Sequence, residues 1–134
     1  MSTVKAANLQ NTGSGAPVFK NSSGTEIGQL AKAWVNFNGT GTVAIRDDFN
    51  VASITDNGTG DYTVNFTTAM ANANYCLSGT AADLRAGTSY RWIVRGSAQN
   101  SNFAQTTSGA RIQVAYSSDN IEDAEQVAVV IHGA

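Results

Sequence analysis

The sequence is short of most residue types from which reactive or cross-linked sites are built. Only one cysteine, Cys76, occurs in 134 residues, which excludes an intrachain disulfide framework and a cysteine-rich metal site. Pro17 is the only proline and His132 the only histidine. Charged residues make up 13%, against about a quarter in soluble domains. The eight basic residues are scattered, the net charge is −2 and the pI is near 5.1, so no nucleic-acid partner is expected. No apolar run approaches the roughly 18 residues of a membrane-spanning helix, so no membrane insertion is expected. No cationic stretch followed by an apolar one opens the chain, which predicts synthesis in a cytoplasm without classical export.

In place of charge stand small polar residues. Asn, Thr, Ser and Gly supply 52 of the 134 positions, a mixture that favours turns, strand surfaces and side-chain hydrogen bonds over helix. The 42% of hydrophobic residues suffices for a core.

Residues 1–30 differ from the rest. Val4 to Gln10 reads as a short strand, residues 13–25 (GSGAPVFKNSSGT) as a loop or linker, and Glu26 to Ala33, behind Thr25 as N-cap, as about two helical turns. From Lys32 onward the signal is strand after strand. Period-2 alternation is clearest in Asp61–Thr67, where Tyr62, Val64 and Phe66 face one way, and returns in Tyr90–Arg95 and Ala110–Tyr116. Gln126–Ile131 is apolar on both faces, which fits a strand buried on both sides or at a subunit contact. Ala33–Phe37, Thr42–Ile45, Phe49–Ile54 and Tyr75–Gly79 complete about eight strands. Asn38–Gly41 and Asp56–Asp61 read as hairpin loops, and Thr80–Ser89 and Gly96–Gly109 as longer links. The predicted fold is all-β, an antiparallel β-sandwich over residues 31–134 behind an extended N-terminal segment over residues 1–30.

Candidate constellations are few. His132 stands third from the C-terminus without a nucleophile elbow, so it reads as a polar residue finishing the last strand; three copies meeting on a trimer axis are the metal-binding alternative. Asp119, Glu122, Asp123 and Glu125 lack the alternate spacing and central glycine of an EF-hand and read as a solvated turn. Cys76 reads as a small buried residue, and Trp34 and Trp92 as core. Phe103 lies in the most polar loop, beside Asn100, Asn102 and Gln105, and is either a loop pin or a contact offered to a partner. Tyr90 and Arg91, ending the other long link, are weaker contact candidates. No catalytic residue, metal ligand or cofactor is nominated, and the chain is expected not to be an enzyme.

The stretch Ala31–Arg46 (AKAWVNFNGTGTVAIR), then Phe49-Asn50-Val51, then Ile54–Phe66 (ITDNGTGDYTVNF) resembles a recurring segment of short phage tail-fibre proteins, common among phages of aquatic bacteria, cyanobacteria included. Ser2–Gln10 (STVKAANLQ) and Gly24–Gly28 (GTEIG) resemble how those proteins begin. The specific likeness covers residues 24–75. It implies a homotrimer on the virion, assembled in the host cytoplasm. The N-terminal segment, with Val4, Leu9, Val18 and Phe19 as candidate contacts, would dock on the tail or baseplate. The β-domain would touch a glycan or protein of the host surface. A structural virion adaptor, collar or head-fibre protein, binding other phage proteins, is the alternative.

Overall fold

The computed structural model describes residues 6, 8–11, 17–83, 92–96, 105–116 and 120–133. The chain divides into two compact units, Met1–Leu30 and Ala31–Ala134. In the first, β1 (Phe19–Lys20) and β2 (Glu26–Gly28) form an antiparallel hairpin with Phe19 opposite Gly28. Its turn is closed by the side-chain carbonyl of Asn21, which accepts from the Ser23 backbone N–H (3.1 Å), the Ser23 hydroxyl (2.7 Å) and the Thr25 N–H (2.9 Å). This corrects the helical reading of Glu26 to Ala33. The Asn-Ser-Ser-Gly-Thr run is turn chemistry that returns the chain as a strand, and Thr25 serves that turn instead of capping a helix. Part of the stretch read as linker is thus β1. Of the strand expected over Val4 to Gln10, Val4 lies outside the described residues and Asn8–Gln10 pair with no strand.

Among its described residues the second unit has nine strands: β3 (Ala33–Asn38), β4 (Ala44–Phe49), β5 (Val51–Gly58), β6 (Asp61–Phe66), β7 (Cys76–Ala82), β8 (Trp92–Gly96), β9 (Gly109–Tyr116), β10 (Asn120–Ile121) and β11 (Gln126–His132). All pairings are antiparallel. One sheet has the order β4-β3-β11-β7; the other runs β10-β9-β6-β5, with β8 on β9. The all-β class holds, and no helix occurs among the described residues. Alternation sets the layers: Ala33, Val35 and Phe37 of β3 and Val127, Val129 and Ile131 of β11 turn inward against Tyr62, Val64 and Phe66 of β6 and Ala110, Ile112 and Val114 of β9. The rings of Phe37 and Tyr62 meet edge to face at 5.2 Å. β11 lies between β3 and β7 in the first sheet, far in sequence from both.

The hairpin β5–β6 is tighter than its sequence suggests. β5 continues through Asp56 and Asn57 to Gly58, with a register shift there, leaving Thr59-Gly60 as the turn. Gly60 has φ +62°, and a Cβ on it would lie 2.6 Å from the Val114 carbonyl oxygen, so both backbone and space require glycine.

Three polar ties hold the layers in place. At one end the Tyr62 hydroxyl lies 2.6 Å from Asp123 Oδ1 and 2.8 Å from the Gly39 carbonyl oxygen. Its single proton goes to the carboxylate, the shorter and charge-assisted contact. The same Oδ1 accepts from the Gly60 N–H at 2.7 Å, and the Gly39 N–H donates to the Ala124 carbonyl at 2.9 Å. The approach to β11 is therefore tied to β6 through Tyr62, to the β5–β6 turn through Gly60 and to the β3–β4 loop through Gly39. Towards the other end, the Tyr75 hydroxyl donates to the Gly109 carbonyl at 2.9 Å, with its ring edge-on to Phe66 at 5.8 Å. Where the chain passes from β4 in one sheet to β5 in the other stands Asn50, with φ +57°. Its carboxamide donates to the carbonyls of Lys32 (3.0 Å) and Thr68 (3.2 Å) and accepts from the Thr68 N–H at 2.7 Å.

Two stability tests follow, both read by denaturant unfolding. Tyr62→Phe keeps the ring and removes the hydroxyl, and is expected to cost about 1.5–3 kcal/mol; a change within error would remove the tie from its place in the fold. Asn50→Ala loses three hydrogen bonds in a left-handed position, at about 2–3 kcal/mol. Asn50→Gly should recover roughly 1 kcal/mol of that, because glycine carries no Cβ penalty there.

Candidate functional site

The two outer faces of the sandwich differ in how their side chains are satisfied. On the β5–β6–β9 sheet, polar groups bond to one another. Asn65 Nδ2 donates to Ser53 Oγ (3.0 Å) and Thr55 Oγ1 (2.9 Å), and Asn57 Nδ2 donates to Thr63 Oγ1 (2.9 Å). Arg111 clasps Asp61 with Nε on Oδ1 and one terminal nitrogen on Oδ2, both at 2.7 Å. That paired hydrogen bond holds the Asp61 carboxyl below its ordinary value of 3.8, against the opposing pull of burial; the positive charge of Arg111 and bonds from Asn57 and Gln113 add to it. Such a surface has little hydrogen-bonding capacity left for a partner.

The outer face of the β4-β3-β11-β7 sheet is the opposite case. Cross-strand pairing sets Phe49, Trp34, Val130 and Ser78 in one row and Asp47, Asn36, Ala128 and Thr80 in the next. Between them lies an open depression of about 560 Å³, lined by these residues of β3, β11 and β7 and floored by the backbone of Val35, Gly79 and Val129. It exists because the central strand presents only the methyl of Ala128 between the larger side chains of Asn36 and Thr80. Trp34 is half-buried and Phe49 is 53% exposed. The side chains of Ser78 and Thr80 and the indole N–H of Trp34 make no hydrogen bond among the described residues, and the Asn36 carboxamide only accepts, from Arg46 at 3.4 Å. Gly79 faces the other way: a Cβ there would meet Val94 Cγ1 at 2.9 Å, so the two sheets approach closely beneath the groove.

Of the contact candidates, Asn100, Asn102, Phe103, Tyr90 and Arg91 lie outside the described residues. Gln105 is half-buried, bridges to Ala110 and donates to the Tyr75 carbonyl at 3.5 Å, so here it serves the base of the link. Among the attachment candidates, Leu9 (67%), Val18 (55%) and Phe19 (40%) are exposed, and Val4 lies outside the described residues. Ile27 and Leu30 are exposed too, so five of the seven large apolar side chains left uncovered among the described residues belong to residues 1–30.

Three readings of single residues change. Cys76 is exposed, not buried, because it opens β7 opposite His132 while Tyr75 and Leu77 point inward. Trp34 is on the outer face, not in the core, because it alternates with the inward Ala33, Val35 and Phe37; Trp92 does pack on the core, its ring 6.0 Å from Tyr116. Asp123 is a half-buried acceptor for Tyr62 and Gly60, where the acidic run reads as a solvated turn; Asp119 lies outside the described residues. The groove itself was not nominated from sequence. Its one signal was the Gln126–Ile131 run, apolar on both faces, whose second face is the groove's central strand.

The Asp61–Arg111 pair yields an acid-stability prediction. A carboxyl whose pKa is lowered in the folded state adds stability that is complete above its unfolded value and lost as pH falls through the folded one. Asp61→Asn should therefore cost about 1 kcal/mol at neutral pH and progressively less below about pH 4. Unfolding midpoints of both proteins across that range check it, and a deficit independent of pH would assign the loss to something other than the carboxylate.

In comparison with known proteins, the chain matches no protein-family model, no curated protein and no solved structure.

Proposed function

We propose that this chain is a binding protein of a virion, a subunit of a homotrimeric phage tail fibre whose first thirty residues dock on the tail or baseplate and whose β-domain contacts the host surface. The observation that carries the reading is the distribution of uncovered apolar side chains. Leu9, Val18, Phe19, Ile27 and Leu30 are exposed in a unit whose only described pairing is a short hairpin. A segment that cannot bury its own apolar residues gains from a partner surface, be it a sister subunit or a neighbouring virion protein. The likeness of residues 24–75 to tail-fibre segments supplies the identity of that partner. The groove on the β-domain supports contact with a further surface, since large apolar side chains stand there beside hydroxyls that bond to no other described residue.

Two measurements test this. Analytical ultracentrifugation of the full chain should give a species of about 42 kDa, three times the 13.9 kDa protomer, and a monomer at micromolar concentration would end the trimer reading. Purified protein in excess should slow adsorption of the phage to its host, and Phe19→Asp with Val18→Asp should leave that competition intact while removing the protein from particles. Protein that neither binds host cells nor competes, yet sits between other components in virion density, would favour the adaptor or collar reading.

A further inference from the structure

We propose that the groove on the outer face of the four-stranded sheet is a binding site for an uncharged saccharide, with Trp34 as its stacking platform. In naming a surface glycan the inference rests on the reading of the β-domain as a contact module; the site itself stands on the groove's chemistry.

Size comes first. The depression of about 560 Å³ falls within the roughly 300–1,000 Å³ of small-ligand sites. Strands lie about 4.8 Å apart and same-face residues about 6.8 Å apart, so three strands and two rows make a footprint on the order of 200 Å². A stable protein interface covers about 800 Å² on each side, so a second copy of the chain would need far more complementary surface than this patch provides. One or two sugar rings match it.

Charge narrows the ligand further. None of the nine lining residues, Trp34, Val35, Asn36, Ser78, Gly79, Thr80, Ala128, Val129 and Val130, carries a formal charge. Among the described residues Arg46 touches the groove's margin at Asn36 (3.4 Å), and its guanidinium is held there by the carbonyls of Phe37 (3.2 Å) and Glu125 (2.6 Å). A phosphate or carboxylate would meet no charged lining residue, and Arg46 would have to leave its backbone carbonyls to receive it, which is costly in a partly desolvated site.

The arrangement of polar and apolar groups then selects the chemistry. The Trp34–Val130 row is an apolar strip, widened by Phe49 beside Trp34. Along its margin the Asn36 amide hydrogens, the Ser78 and Thr80 hydroxyls and the Trp34 indole N–H have no partner among the described residues. A purely apolar ligand would leave these donors and acceptors buried and unpaired. A pyranose has both features at once, C–H groups on its ring faces and hydroxyls around its edge. Laid on Trp34, it covers the strip while its hydroxyls reach Asn36, Ser78 and Thr80. Among the described residues of the opposite sheet, Ser53, Thr55, Asn57, Thr63 and Asn65 already bond to one another.

The test is an NMR titration of the isotope-labelled full chain with neutral oligosaccharides of glucose, galactose, mannose and N-acetylhexosamines. The expected result is a saturable shift of the Trp34 indole N–H and of the amides of residues 34–36, 78–80 and 128–130, unchanged between about 50 and 500 mM salt. Trp34→Ala should weaken binding about tenfold or more, and the double variant Ser78→Ala, Thr80→Ala, which leaves the apolar strip in place, should weaken it as well. Failure of every neutral sugar to bind at millimolar concentration overturns the proposal. So does binding that needs a charged sugar and fades with salt. Shifts confined to other residues overturn this site while leaving host contact standing, and loss of phage adsorption competition with saccharide binding intact would fault the virion reading alone. If Trp34→Ala instead changes the sedimentation of the protein, the face is a subunit contact and the saccharide assignment falls.

Discussion

The β-domain depends on how one tyrosine hydroxyl is satisfied. Tyr62 lies fully buried between the sheets, its ring against Phe37, and burial with the nearby Asp123 carboxylate pushes its phenol well above the usual range. A hydroxyl in that position must find an acceptor, and the acceptor it finds is Asp123, some sixty residues further along. The contact orients everything around it. The Gly60 turn closes on the same carboxylate oxygen, the β3–β4 loop bonds to the neighbouring Ala124 through Gly39, and the segment carrying Asp123 leads straight into β11. Because β11 lies between β3 and β7, the tie also bears on the row of residues that lines the groove.

The two outer faces are unlike because their strands carry different outward residues. β6 and β9 carry their inward residues to the core and are left with Asp61, Thr63, Asn65 and Arg111 outside, short or paired side chains that satisfy one another across the ladder. β11 carries polar side chains outward only at its two ends, Gln126 and His132. Ala128 and Val130 stand outward beside Trp34, where a strand from a self-sufficient domain would carry polar side chains. Water contact on that apolar strip is a standing cost that a ligand or partner removes. The uncovered apolar residues of the first thirty positions carry the same cost in a different unit.

Much of the fold was legible beforehand. The alternation of Tyr62, Val64 and Phe66, and of Ile112 and Val114, marks strand and core face together, because a period of two allows no other assignment. The boundaries at Asn57–Gly58 and at Glu26–Gly28 were less legible. In the first, glycine allows a bulge inside the strand as readily as a loop; in the second, Asn21 draws three donors to one carbonyl and overrides a weak helical tendency. Trp34 and Cys76 illustrate a different limit. Both are residue types that are usually buried, and only the register of β3 and β7 against β11 turns them outward.

By itself, then, the sequence determined the class of this protein: strands from their alternation, turns from Asn and Gly, and no disulfide framework because there is only one cysteine. It also marked β11 as apolar on both sides, without saying what the second side was for. What only the tertiary structure decided was which residues share a face. The groove gathers Trp34 and Asn36, Ser78 and Thr80, and Ala128 and Val130 from three strands separated by some forty to ninety residues. Periodicity is local to each strand, whereas that meeting is set by strand order and register, which the buried Tyr62–Asp123 contact and the inter-sheet packing select.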